Sequence, residues 1–300
     1  MFNKIIAHTL WTMDTLERGI EQLSIGDTVT LGDKTFVIVD YLRHTRSDRT
    51  PHRTCRVARE CDMAANVVLK FGFIQESPDT GRDPSKEETI LGLVRGHTGF
   101  VQGFTIAHSP RLLVHTIQFE NGPTLKDLVL RSSESHPEYL ASQFPAIARA
   151  FARAVRNLDY LHRQNQYHGD VRGDHLYADL ATENFRWNDF EFGPWTLSEG
   201  IAHDIYDTQS IFLFAVGRGL ERLGAHPSSL DLVASDLFGK TGGTFDPIIA
   251  SLGKVFPYIP PPVARLLEKL SAGSTFHFES TAQFADAIEE AVEIPGSRSL

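Results

Sequence analysis

Apolar and polar positions alternate through residues 27–42, DTVTLGDKTFVIVDYL, and the alternation breaks once, at Gly32-Asp33. A period of two puts every second side chain on one face, so the segment predicts a β-hairpin turning there. TCRVARE (54–60) and NVVLKFGF (66–73) predict two more strands, joined by a turn at 62–66. The period becomes helical in DPSKEETILGLVRGH (83–97), with Asp83 or Ser85 as N-cap, Pro84 in the first turn and Gly96 near the end. RLLVHTIQF (111–119) reads as a buried strand, and ENGPTLKDLVL opens a short helix on a Thr124/Asp127 capping box.

From about residue 136 the pattern is helical. FPAIARAFARAVRNLDYLH (144–162) sets Ile147, Phe151, Val155, Leu158 and Leu161 on one stripe. AHDIYDTQSIFLFAVGRGLERLG (202–224) is apolar nearly all round its middle, as a helix buried in a large lobe would be. The stretch 261–292 predicts two further helices, the last opened by Ser280 and Gln283. The pattern therefore predicts an α+β, two-lobed protein. An N-terminal extension (1–34) precedes a small antiparallel β-sheet lobe with one helix (35–117), a hinge (118–123) and a large helical lobe (124–300). A cleft between two lobes is a natural place for a ligand.

Composition narrows the partners. The 300 residues are 41% hydrophobic and 22% charged with a formal net charge of -9, which argues against nucleic acid as a partner. No run of 18 apolar residues exists, the start lacks the pattern of a signal peptide, and the expectation is a cytoplasmic chain with no membrane partner. The two cysteines, Cys55 and Cys61, read as inert thiols rather than a disulfide or half a metal site.

The chemistry is concentrated in YHGDVRGDHLYADL (167–180), where His168, Asp170, Arg172, Asp174 and His175 crowd one loop between a helix and a strand. HGDVRGDHL resembles the catalytic loop of the protein-kinase fold, H-R-D-x-x-x-x-N. The resemblance makes Asp170 the catalytic aspartate and puts His175 at the metal-binding asparagine position. Nineteen residues after Asp170, NDFEFG is similar to the D-F-G metal motif and implies Asp189 as a metal ligand. VVLK resembles the strand motif whose lysine holds ATP phosphates, giving Lys70, and the spacing back from HTGFV selects Glu88 rather than Glu87 as its partner. LLVHTIQFENGPTLKDLV is similar to the hinge, where the backbone of Gln118 and Glu120 would meet adenine. Asp204 looks like the aspartate that braces the catalytic loop.

Four departures qualify the resemblance. The glycine-rich loop is replaced by RHTRSDRTPHRTCR (43–56), in which Arg46 and Arg49 either take the phosphates or belong to a solvated basic loop. Gly169 replaces the usual arginine, as in aminoglycoside phosphotransferases and other atypical kinases. Only fifteen residues separate Asp189 from Asp204, leaving no A-P-E motif and no peptide platform. His175 replaces a hard oxygen donor, which suits Mn²⁺ or Zn²⁺ better than Mg²⁺; a packed or capping histidine is the other reading. The resemblance thus implies an ATP-dependent phosphotransferase using Mg or Mn and a small-molecule or folded-protein acceptor. The alternatives are transfer of AMP through the same cleft, and a pseudokinase that binds nucleotide or serves as a scaffold.

Overall fold

The computed structural model describes residues 9–43, 51–61, 63–74, 84–179, 182–190, 195–219, 252, 256–271 and 278–293. The fold is α+β, and the described residues fall into two compact units, one up to Asn121 and the other from Gly122. Among the described residues no helix is long and apolar enough to cross a membrane.

The first unit is built on a seven-stranded sheet: β1 (Leu10–Trp11), β2 (Thr28–Leu31), β3 (Lys34–Arg43), β4 (Pro51–Glu60), β5 (Asn66–Phe73), β6 (Gly103–His108) and β7 (Leu112–Gln118). Their order is β1-β2-β3-β4-β5-β7-β6. β1 runs parallel to β2 and every other pairing is antiparallel. The β2–β3 hairpin turns at Gly32 with φ +62°, a left-handed conformation that glycine adopts without strain. The sheet is larger than the sequence pattern indicated. β1 is too short to show a period, and β6 pairs GFTIAH onto the edge of β7. Ahead of β2, the first arm of the expected hairpin, the segment expected to be an extension also supplies β1, α1 (Met13–Gly19) and a 3₁₀ turn (Ile20–Gln22).

That segment fills the inner face of the sheet. Trp11, Leu16, Ile20, Leu23, Val29 and Leu31 pack with Phe36, Ile38, Ala58, Leu69, Phe71, Leu112 and Val114 in one buried cluster. Buried Asp27 fastens the segment, accepting from the Thr9 and Ser24 N–H groups and from Trp11 Nε1, each at 3.0 Å. Arg56, the last arginine of the basic stretch and part of the expected strand 54–60, lies within β4 and is buried. It donates to the Ile20 carbonyl (3.2 Å) and the Cys55 carbonyl (3.0 Å). Helix α2 (Pro84–Leu93) covers part of the other face: a Cβ on Gly103 would meet Leu91 Cδ2 at 3.2 Å and Ile117 Cδ1 at 2.6 Å. Cys55 is buried, Cys61 is exposed, and both are free thiols.

The second unit contains α3 (Leu125–Arg131), α4 (His136–Ser142), α5 (Phe144–Arg163), α6 (Leu197–Val216), α7 (Pro261–Ser271) and α8 (Thr281–Val292), with a hairpin of β8 (Leu176–Asp179) and β9 (Asn184–Trp187). The Thr124/Asp127 box closes α3 as its sequence indicated: Asp127 N–H donates to Thr124 Oγ1 (3.1 Å) and Thr124 N–H to Asp127 Oδ2 (3.1 Å). Ser280 Oγ accepts from Gln283 N–H at the start of α8. The α5 stripe is buried along its length, and Arg156 ties α5 to Asp286 and Glu289 of α8 at 2.6 and 2.8 Å. Fully buried Trp187 pins the hairpin to α5 through a 2.8 Å bond to the Ala154 carbonyl.

Candidate functional site

The β8–β9 hairpin explains how residues nineteen positions apart meet. His175 precedes β8, Asp189 follows β9, and Leu176 pairs with Trp187, so the strand ends lie side by side. A bond from Asn188 N–H to the His175 carbonyl (3.0 Å) closes that end. His175 then stands between two carboxylates. Its Nδ1 donates to the Asp170 carbonyl (3.0 Å) and lies 3.3 Å from Asp170 Oδ2, while its Nε2 is 3.5 Å from Asp189 Oδ2. One ligand atom from each of Asp170, His175 and Asp189 falls within 4.8 Å of the others. Two carboxylates and an imidazole make a donor set fit for a divalent ion, and the ring nitrogen favours Mn²⁺ or Zn²⁺. Asp189 has φ +63°, a conformation costly for a residue with a Cβ and frequent where a side chain is held for function.

The loop carrying Asp170 is held from below. Asp204 on α6 is fully buried and accepts from His168 N–H (2.7 Å), Gly169 N–H (2.9 Å) and His162 Nε2 (3.0 Å). Between those two amides Gly169 has φ +81°, which gives a backbone reason for glycine where the usual loop has arginine. His168 is fully buried, edge-on to Trp187, and burial pushes its pKa down to about 4. Its Nδ1 therefore accepts from Asp170 N–H (3.3 Å) as a neutral ring. Desolvation raises the pKa of Asp170 against the pull of His175 and Arg172. Arg172 forks onto buried Asp174 through Nε–Oδ1 (3.0 Å) and Nη2–Oδ2 (2.9 Å). Asp174 is thereby committed to Arg172. One turn beyond Asp204, the carboxyl of Asp207 is pushed up to about 8, by burial first and then by Asp204 and Asp170.

In the first unit Lys70 Nζ bonds Glu87 Oε1 at 2.7 Å, and Glu88 is exposed. This corrects the assignment of Glu88. The buried face of α2 carries Ile90 and Leu91, continued by Val94 just past its end, and counting back three, four and seven residues reaches 87. The spacing back from HTGFV and the expectation that Glu87 faces elsewhere at helical pitch are both reversed, since Glu87 lies on the buried face and Glu88 in water. Gln102 secures the end of the helix, with Nε2 donating to the Val94, His97 and Phe100 carbonyls. Gln118 ends β7, and its backbone N–H is engaged by the Gln102 carbonyl at 2.7 Å; Glu120 follows it, half-buried. Arg46 and Arg49 lie outside the described residues. His115, a residue that no motif singles out, stands opposite Lys70 across β5 and β7.

No protein-family model matches this chain, and no curated protein does.

Proposed function

We propose that the protein is an atypical, kinase-like phosphotransferase that moves a phosphoryl group from ATP to a hydroxyl acceptor. The observation that carries this reading is the meeting of Asp170, His175 and Asp189 on a loop braced by Asp204. The Lys70–Glu87 pair supports it from the first unit. In this reading Lys70, aimed by Glu87, binds the phosphates of ATP, and Asp189 with His175 Nε2 holds a divalent ion, Mn²⁺ or Mg²⁺. When bound, that ion offsets negative charge on the transferring group. Asp170 orients the acceptor hydroxyl and takes its proton. The acceptor oxygen forms a bond to the γ-phosphorus, the bond from that phosphorus to the bridging β-γ oxygen breaks, and ADP leaves with the electron pair. The fourteen residues between Asp189 and Asp204 leave little room for a peptide platform, which favours a small molecule or a folded partner as acceptor.

The test is transfer of label from ATP to lysate metabolites, lysate proteins and generic peptides, with Mg²⁺ and with Mn²⁺. Wild type and Asp170→Asn are compared, with ATP affinity measured alongside. Loss of a general base should slow transfer about 10²–10⁴-fold and leave ATP affinity within a few-fold. Equal transfer by both proteins would remove Asp170 from the reaction. Transfer by neither protein, with ATP still bound, would turn the reading into that of a pseudokinase.

A further inference from the structure

We infer that His162, in the last turn of α5, is a positioning residue for the loop that carries Asp170, acting through the carboxylate of Asp204. The inference rests on the proposed roles of Asp170, His175 and Asp189, and it concerns what holds those three together. Its first support is connectivity. α5 ends at Arg163, and the chain reverses through residues 164–167 to reach His168. Asn165 makes the reversal with φ +54°, a left-handed conformation that asparagine adopts more readily than most residues. Its N–H donates to the His162 carbonyl at 3.0 Å. The side chain of His162 and the backbone of His168 thus flank one tight turn, and a single oxygen serves both. Asp204 Oδ2 accepts from His162 Nε2 at 3.0 Å and from His168 N–H at 2.7 Å.

The second support is the task that falls to Asp204. Its two oxygens hold consecutive amides, Oδ2 that of His168 and Oδ1 that of Gly169 at 2.9 Å, so the plane of the carboxylate sets the direction in which the loop leaves. The last torsion of an aspartate is broad, and a further donor from another element narrows it. His162 is that donor. Its side chain is 7% exposed and that of Asp204 0%, so water does not compete for the bond. From the two amides the contacts run on to the candidate metal cluster. Asp170 N–H donates to His168 Nδ1 (3.3 Å), His175 Nδ1 to the Asp170 carbonyl (3.0 Å), and His175 Nε2 stands 3.5 Å from Asp189 Oδ2. Each link from α5 to the cluster is a contact between named atoms.

The test compares wild type with His162→Leu and His162→Gln by amide hydrogen exchange, by Mn²⁺ titration without nucleotide, and by the imidazole N–H signals in the NMR spectrum. In wild type the His162 Nε2 proton should exchange slowly and show a cross-peak to the His168 amide, since both protons point at one oxygen. His162→Leu should speed exchange at the His168 and Gly169 amides about ten- to hundredfold, a loss typical of one hydrogen bond to a charged group, with α8 exchanging as in wild type. Mn²⁺ should bind roughly three- to tenfold more weakly, short of the ~10–100-fold typical of a direct partner of a metal ligand. His162→Gln, whose amide group keeps a donor at that position, should recover most of both losses. Absence of the cross-peak would overturn the inference even if the leucine variant failed to fold. So would wild-type exchange or wild-type Mn²⁺ affinity in that variant, or an equal acceleration in α8, which would mark a general loss of stability. A glutamine variant no better than leucine would do the same, because the donor would then not be what matters. Wild type that binds no Mn²⁺, with exchange at His168 and Gly169 still governed by His162, would sink the metal role of the cluster and leave the positioning of the loop standing.

Discussion

Glu87 and Glu88 are adjacent, identical in chemistry and opposite in fate. Helical geometry turns successive side chains by about 100°, so only one of them joins Ile90 and Leu91 on the buried face of α2. Glu87 is 6% exposed with Lys70 Nζ 2.7 Å away, and Glu88 faces water. Removing one partner of a buried ion pair strands the other charge at about 3–5 kcal/mol, and the Lys70 side chain keeps 21% exposure, which softens that cost. Glu87→Gln should therefore lower stability by about 1–3 kcal/mol and weaken ATP binding. Glu88→Gln should stay within about 0.5 kcal/mol of wild type and bind ATP as wild type does. Denaturant unfolding and ATP titration of the two variants check both halves, and equal effects would show that the pair contributes nothing. Spacing between motifs tolerates a shift of one residue, and a helix face does not.

The elements of the second unit were the more legible, because their signals are long or chemically explicit. The stripe on α5, the capping box of α3 and the buried middle of α6 each repeat a physical cue over several residues, and all three elements form. The nineteen-residue interval from Asp170 to Asp189 was legible only through the resemblance, and two short antiparallel strands fill it and bring the chain back to its start. What remained hidden on α6 was Asp207, one turn past the bracing Asp204, because a residue pattern does not show how far burial and neighbouring carboxylates move a proton. Its folded pKa stands near 8 against an ordinary value of 3.8. As pH rises from about 4 to 8, the unfolded chain releases this proton and the folded chain keeps it. The raised pKa thus withdraws stability progressively across that window. Asp207→Asn removes the titration. Relative to wild type, its melting temperature should be nearly level at pH 4 and several degrees higher at pH 8, where a gain of about 1 kcal/mol corresponds to about 2–4 °C. A constant difference across the window would show that Asp207 titrates normally.

For the whole molecule, the reading of residues 1–34 as an extension carries the largest consequence. Before the hairpin strand the segment showed no period, because β1 spans only two residues and α1 seven. Tertiary packing supplies what local pattern lacked. Six of the thirteen buried residues in the inner cluster of the first unit (Trp11, Leu16, Ile20, Leu23, Val29 and Leu31) come from that segment. Each large apolar side chain contributes roughly 1.5–3 kcal/mol when fully buried, so together they approach the entire stability of an ordinary domain, about 5–15 kcal/mol. Asp27 and Arg56 add directional ties, the first to Thr9, Trp11 and Ser24, the second to the carbonyl of Ile20. A chain beginning at residue 35 would also expose the edge of β3 that β2 covers, together with the apolar face beneath α1. Such a chain should lose cooperative unfolding of the first unit, bind hydrophobic dyes and aggregate. The second unit, with its own core on α5, α6 and α8, should keep its helical circular dichroism. Thermal unfolding followed by circular dichroism, with dye binding on the same samples, measures this. A truncated protein that melts within a few degrees of the full chain would show that the segment is an appendage after all.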